Sequence, residues 1–354
     1  MATIREILTA GHPPLHWCAA RWALRALSLP YWIAMHLRNA AYDWRIKPVH
    51  RPGVPVISIG NLTVGGTGKT PGVSLVCSIL RQEGMRVAVL SRGYGQLAEG
   101  GNDEALELEL LHPDVPHLQH PDRVQSAQLA VEELEMQVLV LDDGFQHRRV
   151  ARDLDVVLID ATDTRAAHWL LPGGLLREPW SSLRRADMVI LTRTDVASPQ
   201  RVAELESRVR RANPHIPVFH AVHRPRGLLT FPDRLDAGGL DRITEALAFC
   251  GIGNPQAFFR QLEASGVRLL DRRVFPDHYR YTAEDVRDLG DWAASYPAST
   301  PLICTVKDLV KIQTSSLSGH PLQALQVDLE IVEGRPEFVQ RLLRAAGSTA
   351  GGGS

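Results

Sequence analysis

Cysteine is scarce in this chain of 354 residues, and charge of neither sign is in excess. The four cysteines, Cys18, Cys77, Cys250 and Cys304, are widely spaced and form no C-x-x-C pair. This spacing argues against a zinc site or a disulfide framework and fits a reducing compartment. The 39 Lys and Arg residues nearly balance the 40 Asp and Glu residues, for a formal net charge of −1. We therefore expect no nucleic-acid partner, because such partners are attracted by an excess of positive charge.

Long apolar runs without charges are also missing. The most apolar stretch near the N-terminus is interrupted by Arg21, Arg25 and Pro30, whereas a membrane-spanning helix needs about 20 mostly apolar residues. We also find no secretory signal, since the N-terminus lacks a basic start followed by an apolar block and a small-residue cleavage site. We therefore expect neither a spanning helix nor export.

The first fifty residues nevertheless have an unusual composition. Their basic residues outnumber their acidic ones, and they hold four of the seven tryptophans of the chain. We predict N-terminal amphipathic helices, two short ones hinged near Pro30, with Trp and Arg at the headgroup level of a membrane surface. The alternative is that these helices pack on the protein core.

Residues 56–70 form the most informative segment. An apolar run ends in a glycine-rich turn, and the turn closes with Gly68-Lys69-Thr70. This pattern is typical of a P-loop, in which backbone N–H groups surround the phosphates, the Lys meets the terminal phosphates and the Thr hydroxyl holds Mg²⁺. The residues predicted to bind the nucleotide are Thr63, Val64, Gly65, Gly66, Thr67, Gly68, Lys69 and Thr70. The strict pattern has Gly at position 63, so the Thr63 of this chain makes it a variant.

Strand-like and helical runs alternate from residue 55 to about residue 223. This alternation predicts an α/β fold of the P-loop NTPase type, a mostly parallel sheet flanked by helices, with ligands at the carboxyl ends of its strands. A Pro-Gly-containing segment at 224–227 then punctuates the chain, and a smaller C-terminal α/β lobe follows. We assign residues 1–50 to the N-terminal membrane-associating helices, 51–223 to the P-loop core, 224–346 to the smaller lobe and 347–354 to a flexible tail.

An acidic turn follows the predicted strand 138–141. Asp142 and Asp143 stand side by side there, and two adjacent carboxylates are costly unless a cation is near. A carboxylate at a strand end beside a P-loop commonly holds Mg²⁺ opposite the loop Thr. We therefore predict Thr70 and Asp142 as the metal residues, with an ordinary solvated turn as the alternative.

Other candidate residues follow strand-like runs elsewhere. Arg92 could neutralise phosphate and Tyr94 could stack on a base or sugar, unless they belong to a simple glycine turn. Asp103 lies in an acidic turn before a helical stretch, His278 lies in a Pro-containing loop, and Lys307 closes another strand.

Two classes of function fit these residues. One is a small-molecule or lipid kinase that uses ATP. The other is a GTP-driven switch or metal-insertion factor on the same scaffold. Residues 192–195, Thr-Arg-Thr-Asp, weakly resemble the N/T-K-x-D base-reading motif of GTPases and follow a strand, but Arg193 replaces the Lys.

Six motifs together narrow the choice. In their order and content they resemble those of the tetraacyldisaccharide 4′-kinase family, the lipid A 4′-kinases of bacteria that have an outer membrane. The motifs lie at residues 60–71, 91–94, 142–147, 175–179, 251–255 and 275–278. Thr at position 63 is also usual in this family, so the departure from the strict P-loop pattern is accounted for.

The resemblance implies a reaction and a location. ATP would donate its γ-phosphate, with Mg²⁺, to the 4′-hydroxyl of a tetraacylated glucosamine disaccharide 1-phosphate, a lipid A precursor. The acceptor lies in the membrane, so the enzyme would be peripheral at the cytoplasmic face of the bacterial inner membrane. No obligatory protein partner is implied.

The resemblance also implies roles for individual residues. Asp103 and His278 match a catalytic dyad in which the Asp orients the His and raises its basicity. Since they lie on opposite sides of residue 223, we expect them in different lobes. The catalytic set is completed by Lys69 and Asp143, and the substrate contacts would come from Arg92, Tyr94, Gln146, His147 and Arg177.

Two positions depart from the family pattern. The acidic turn reads Asn-Asp-Glu-Ala at 102–105 instead of Gly-Asp-Glu-Pro, and Val306 stands where the family usually has Glu. No role of that Glu can therefore be carried over to this chain.

Overall fold

The structure is a computed structural model that describes residues 15–65, 67–93, 103–163, 169–232, 234–237 and 239–347. The chain forms two compact units. The first contains Met1–Arg92, Leu118–Val222 and Leu329–Ser354, and the second contains Gly93–His117 and His223–Asp328.

The elements that follow are numbered in chain order. They are α1 (Leu15–Asp43), β1 (Val56–Asn61), α2 (Lys69–Gln82), β2 (Val87–Ser91), α3 (Asp103–Leu111), β3 (His117–Gln119), α4 (Arg123–Glu132), β4 (Val138–Asp142), β5 (Leu154–Asp160), β6 (Met188–Thr192), α5 (Pro199–Ala212), β7 (Val218–Thr230), β8 (Arg234–Asp236), β9 (Glu245–Cys250), α6 (Pro255–Ala264), β10 (Arg268–Val274), α7 (Ala283–Ala293), β11 (Leu302–Thr305), α8 (Val306–Ile312), β12 (Ser316–Leu317), β13 (His320–Glu333) and α9 (Arg335–Ala345).

The first unit is built on a parallel sheet. Its strands follow the order β7-β6-β5-β1-β4-β2-β3, and β1 pairs in parallel with both β4 and β5. Every residue of β1, β2 and β4 is buried, as expected for strands that have helices on both faces. The register sets Ile59 opposite Asp142, so the loops after β1 and β4 leave the same edge of the sheet. The predicted α/β fold class is confirmed.

The second unit contains the neighbouring parallel strands β10, β9, β11 and β13, in that order. Antiparallel pairs add β8 to β7 and β12 to β13. Its core includes Phe249, Trp292 and Leu309, and Leu106 and Leu110 of α3 pack against that core. The packing of these two leucines explains why α3 belongs to this unit although it precedes most of the unit in the chain.

The N-terminal segment forms one helix where the sequence predicted two. Helix α1 is 29 residues long and carries Pro30 in its interior, where a proline removes a backbone hydrogen bond and normally breaks or kinks the helix. Side-chain contacts on both sides of Pro30 hold the helix: the Ser28 hydroxyl donates to the Leu170 carbonyl at 2.8 Å, and the Tyr31 hydroxyl donates to the Arg177 carbonyl at 2.8 Å. The predicted hinge was therefore wrong.

No helix within the described part of the chain combines the length and apolarity needed to cross a membrane.

The remaining predictions concern single elements and the end of the chain. Residues 224–227, where the sequence predicted a break, lie inside strand β7, directly after the boundary between Val222 and His223 at which the second unit begins. Strand β10 and helix α8 were not predicted. Residues 348–354, assigned to a flexible tail, lie outside the described residues.

Candidate active site

The P-loop has the backbone that its glycines predict. Gly65 and Gly68 have φ angles of 121° and 86°, values that residues with a Cβ rarely adopt. Gly68 caps α2, and Lys69 is the first residue of that helix. The Thr67 hydroxyl accepts a 2.9 Å hydrogen bond from the Asn61 amide, and the Thr67 carbonyl accepts one from the Thr192 hydroxyl at 3.1 Å. The loop is thus anchored to the ends of β1 and β6, at the N-terminus of a helix that favours anions.

The start of the loop is paired with a second segment. The Val64 N–H donates to the Leu175 carbonyl at 2.8 Å, Thr63 forms an antiparallel bridge with Leu176, and the Arg177 N–H donates to the Leu62 carbonyl at 2.7 Å. The motif at 175–179 therefore lies beside the nucleotide loop. Gly66, also predicted to bind nucleotide, lies outside the described residues.

A charged cluster surrounds Asp143. Arg177 Nη1 lies 2.8 and 2.7 Å from the two Asp143 carboxylate oxygens, and Lys69 Nζ lies 3.7 Å from Oδ1. Burial alone would raise the pKa of Asp143, but the charges of Lys69 and Arg177 lower it below the ordinary value. Three of the predicted site residues are thus in contact, and Asp143 is ionised at neutral pH.

The two predicted metal residues offer a suitable donor set. Thr70 and Asp142 are both buried, with 5% of each residue exposed. Asp142 ends β4, and its strand neighbour Ile59 lies just before the P-loop. A hydroxyl and a carboxylate oxygen are ligands that Mg²⁺ prefers, with water and nucleotide phosphate completing the shell. No cluster of three His, Cys, Asp or Glu side chains among the described residues forms an all-protein metal site.

Arg123 holds the acidic turn and was not singled out from the sequence. Its guanidinium donates to the carbonyls of Asp142 at 2.7 Å and Asp143 at 3.1 Å. The Arg is 4% exposed, and it begins α4. A lone Arg after a helix-capping Asp gave no functional signal, because its partners are backbone groups about 20 positions away.

The remaining predicted substrate residues have different settings. The Gln146 side chain donates to the Asn61 carbonyl at 3.0 Å. Burial and the neighbouring arginines together lower the pKa of His147 to about 4, so this imidazole is neutral at physiological pH. Arg92 is exposed at the end of β2, and Tyr94 lies outside the described residues.

Helix α1 is attached to the same region through Glu178. This residue is completely buried, and its carboxylate accepts from the Asn39 amide at 3.1 Å and from Arg185 at 2.8 Å. Arg38 lies 3.6 Å away. A buried carboxylate needs such paired charges and donors. The core-packing alternative for the N-terminal segment therefore holds for one face of α1.

In the second unit, Asp103 and His278 form a direct pair. His278 Nδ1 lies 2.9 Å from one Asp103 carboxylate oxygen and 3.2 Å from the other. The His278 side chain is 60% exposed and that of Asp103 is 12% exposed, so the imidazole remains accessible. The expectation that the two residues lie in different lobes was wrong: both belong to the second unit, because the helix that Asp103 begins packs on the core of that unit.

Lysines surround this pair. Lys311 Nζ lies 3.6 Å from an Asp103 oxygen, and Lys307 donates to Glu104 at 3.0 Å. Burial would raise the pKa of Asp103, but the His278 hydrogen bond and the two lysines lower it to about 2. The hydrogen bond to Asp103 raises the pKa of His278. Asp103 is therefore an anion that increases the basicity of its partner.

Val306 and Arg193, the positions at which this chain departs from the two motifs discussed above, both have structural roles. Val306 is 4% exposed within the apolar core, a setting that suits an apolar side chain and not a solvated carboxylate. Arg193, at the position of the Lys in the GTPase motif, pairs with Asp160.

Comparison with known proteins agrees with this geometry. The model of the tetraacyldisaccharide-1-P 4′-kinase family matches residues 20–347. The tetraacyldisaccharide 4′-kinase of Anaeromyxobacter dehalogenans strain 2CP-C is 40% identical over 326 residues, covering 86% of this chain and 85% of the relative. That of Chlorobaculum parvum is 32% identical over 349 residues, covering 92% and 95%.

A solved structure is similar as well. The crystal structure of LpxK from Aquifex aeolicus in complex with ATP superposes with a TM-score of 0.73 at 29% identity, covering 92% of this chain and 99% of that one. The P-loop NTPase type of fold predicted from the sequence is confirmed by this match.

Proposed function

The chain belongs to the tetraacyldisaccharide-1-P 4′-kinase family, and we propose how its residues divide the work of the phosphoryl transfer. The protein is an ATP-dependent lipid kinase that phosphorylates the 4′-position of a lipid A precursor. Such a reaction needs bound phosphates, neutralised charge and a proton acceptor for the attacking hydroxyl.

The P-loop binds the triphosphate of ATP. Backbone N–H groups of the glycine turn, at Gly65 and Gly68, would hold the phosphates, and the N-terminus of α2 adds its partial positive charge. Lys69 contacts the terminal phosphates. In the structure the Lys69 ammonium lies 3.7 Å from the Asp143 carboxylate. When ATP binds, the phosphates would replace this carboxylate as the partner of Lys69.

Thr70 and Asp142 would hold Mg²⁺. When bound, the ion neutralises charge on the phosphates. The hydrogen bonds from Arg123 to the backbone of the acidic turn keep the Asp142 carboxylate at the end of β4. Asp143 holds Lys69 and Arg177 in place until the phosphates replace it as their partner.

His278 is the general base. Its Nδ1 contacts Asp103, so Nε2 is the nitrogen that accepts the proton of the 4′-hydroxyl. The oxygen then bonds to the γ-phosphorus as the bond to the β-phosphate oxygen breaks, and ADP leaves. Asp103 keeps the imidazole in the tautomer with a free Nε2 lone pair and stabilises the imidazolium that forms.

The substrate residues bind the sugar and its anionic group. Arg177 would contact phosphate when Asp143 releases it, and neutral His147 together with Gln146 would hydrogen-bond the sugar. Arg92 and Tyr94, which follow β2, would contact phosphate and a sugar or base face respectively.

Helix α1 binds the membrane surface. Several of its large apolar side chains are exposed: Trp22 is 67% exposed, Leu29 61% and Leu37 66%. Arg25 stacks on Trp22 and Trp169, with 5.3 and 4.9 Å from its guanidinium carbon to the ring centroids. Aromatic and basic side chains together fit a bilayer interface. We place this face against the cytoplasmic side of the inner membrane, where the lipid acceptor lies.

The Asp103–His278 contact is the observation that carries the assignment of the base. The test is transfer of labelled γ-phosphate from ATP to the disaccharide lipid in mixed micelles with Mg²⁺, for wild type and His278→Ala. His215→Ala, an exposed histidine in the first unit, is the matched control. We expect about 10²–10⁴-fold slower turnover for His278→Ala alone. GTP hydrolysis without the lipid, measured in parallel, would instead support the switch-type alternative.

A further inference from the structure

Asp308 is a buried carboxylate close to the proposed base. It lies in the first turn of α8 and is completely buried. Thr305 caps the helix and its hydroxyl donates to Asp308 Oδ2 at 2.6 Å. Because a buried carboxylate is costly unless donors and a positive charge surround it, the partners of Asp308 show what it holds in place.

Three of those partners belong to the surroundings of His278. The Gly251 N–H lies 3.2 Å from both Asp308 oxygens, and the Tyr281 hydroxyl donates to Oδ1 at 3.0 Å. Lys311 Nζ lies 3.8 Å from Oδ1. The carboxylate thus joins β9, the loop after β10 and helix α8 at one point.

Each of these partners also contacts the pair or its loop. The Gly251 carbonyl accepts the His278 N–H at 3.2 Å. Lys311 donates to the Tyr279 carbonyl at 3.1 Å and lies 3.6 Å from Asp103. Tyr281 packs on Phe275 and Tyr279, with ring centroids 5.0 and 5.3 Å apart. The loop of His278 is therefore held by a backbone hydrogen bond to Gly251, by the ring of Tyr281 and by Lys311. Asp308 contacts each of these three residues.

The backbone of His278 needs such support. Its φ angle is 57°, a left-handed conformation that a residue with a Cβ adopts only when its surroundings hold it there. At Gly251, a Cβ would come within 3.1 Å of Asp308 Oδ1, so the close approach of this backbone to the carboxylate leaves little room for a side chain.

We infer that Asp308 is a positioning residue for the reaction, which keeps the His278 imidazole on Asp103 and its Nε2 directed away from that contact. The inference rests on the proposed role of the Asp103–His278 pair. Asp308 itself does not contact the imidazole; it acts through Gly251, Tyr281 and Lys311.

The test uses the full chain with Asp308→Asn, which keeps the size of the side chain and removes its charge. Tyr281→Phe removes one hydrogen bond and keeps the ring, so it serves if the first variant does not fold. Asp328→Asn is the matched control, since Asp328 pairs with Arg226 at the surface of the same unit. Thermal unfolding and ATP affinity report on the fold, and kcat and KM for the lipid report on the reaction.

The pH dependence separates positioning from general stability. The charged groups near the imidazole are Asp103, Asp277, Lys307 and Lys311, and all of them are unchanged in both variants. We expect Asp308→Asn to lower kcat about 10²-fold, the effect of a misplacement of about 1 Å, with ATP affinity unchanged. The NMR-monitored pKa of His278 should fall toward its ordinary value. Tyr281→Phe should also lower kcat and the pKa of His278, but by less than Asp308→Asn does.

The outcomes distinguish this inference from the proposed function. If His278→Ala is inactive while both variants turn over and titrate like wild type, Asp308 is not a positioning residue. A loss of thermal stability with an unchanged His278 pKa would overturn the inference in the same way. If His278→Ala retains wild-type turnover, the proposed base itself is wrong, whatever the variants of Asp308 and Tyr281 do.

Discussion

His278 and Asp103 are 175 positions apart in the chain, and the imidazole Nδ1 lies 2.9 Å from the carboxylate. The contact forms within one compact unit, because α3 carries Asp103 onto the core from which the loop of His278 emerges. Asp103 has its pKa lowered to about 2, so it is an anion throughout the working pH range. Its main effect is to make the imidazole a stronger base.

The pair should set the acidic limb of the pH–rate profile. A general base must be neutral, so kcat/KM should rise with pH through the raised pKa of His278, which lies above the ordinary value of about 6.5. In Asp103→Asn the raising hydrogen bond to a carboxylate is lost, and the limb should move to lower pH while the plateau rate falls. Lipid phosphorylation should be measured from about pH 5 to about pH 9, a range that brackets the titration of a histidine. These rates give the position of the acidic limb and the height of the plateau. An identical limb in the variant would contradict the assignment.

The same contact should contribute to stability in a defined pH window. The pKa of His278 is raised on folding, so its contribution is complete below about 6.5 and is lost as pH rises through the folded value. The pKa of Asp103 is lowered to about 2, so its contribution is present above about 3.9 and is lost as pH falls toward 2. Urea unfolding should therefore show the largest difference between wild type and Asp103→Asn between about pH 4 and 6.5. A difference that is larger at pH 9 than in this window would refute the prediction.

The P-loop and the acidic turn should be needed for turnover. We expect Lys69→Ala and Asp142→Ala each to lower kcat at least about 10²-fold, the scale for loss of one preorganised charge that stabilises the transition state. Asp241→Ala, an exposed acidic residue in the second unit, serves as the control and should behave like wild type. Steady-state kinetics with saturating ATP measure the effect. Near-normal turnover of either site variant would remove it from the catalytic set.

The exposed face of α1 should determine binding to vesicles. Since α1 also supports Arg177 and Glu178, deletion of the helix would disturb the site, and point substitutions are more specific. Combined Trp22→Ser and Leu37→Ser changes should weaken sedimentation with anionic phospholipid vesicles by at least about tenfold, since each apolar side chain contributes roughly 1.5–3 kcal/mol when buried. ATP affinity should not change. Leu129→Ser, at an exposed leucine of α4, is the control, and equal sedimentation of all variants would leave α1 with its packing role alone.

Gly60 should be intolerant of a side chain. A Cβ at this position would lie 2.5 Å from Phe145 Cβ and 2.7 Å from the Phe145 backbone nitrogen, so β1 and the loop after β4 would have to separate. We expect Gly60→Ala to destabilise the protein by about 1–3 kcal/mol, the usual cost of overpacking, and to weaken ATP binding. Gly84→Ala meets no atom within 4 Å and carries only the strain of its φ of 75°. Chemical denaturation that found Gly60→Ala as stable as wild type would disprove the close contact.

Much of the fold could be predicted because its signals are local. Strand β1, the P-loop and helix α2 are consecutive, so the glycines and the apolar spacing within about 25 residues indicate all three. The ends of the parallel strands were predictable for the same reason, and they include Asp142. Strand β10 could not be found in this way, because its three apolar residues do not alternate along the strand and its other four residues are charged: Arg268, Asp271, Arg272 and Arg273.

The sequence by itself determined the local features on which this chemistry depends: a phosphate loop, a carboxylate at a strand end, and a basic, tryptophan-rich N-terminus. Those are properties of short segments, in which neighbouring residues set the backbone conformation. Only the tertiary structure decided that α1 continues through Pro30, that Arg177 meets Asp143 and that Asp103 shares a unit with His278. These relationships depend on which surfaces are buried together, and residues far apart in a chain carry no local sign of the partner against which they will pack.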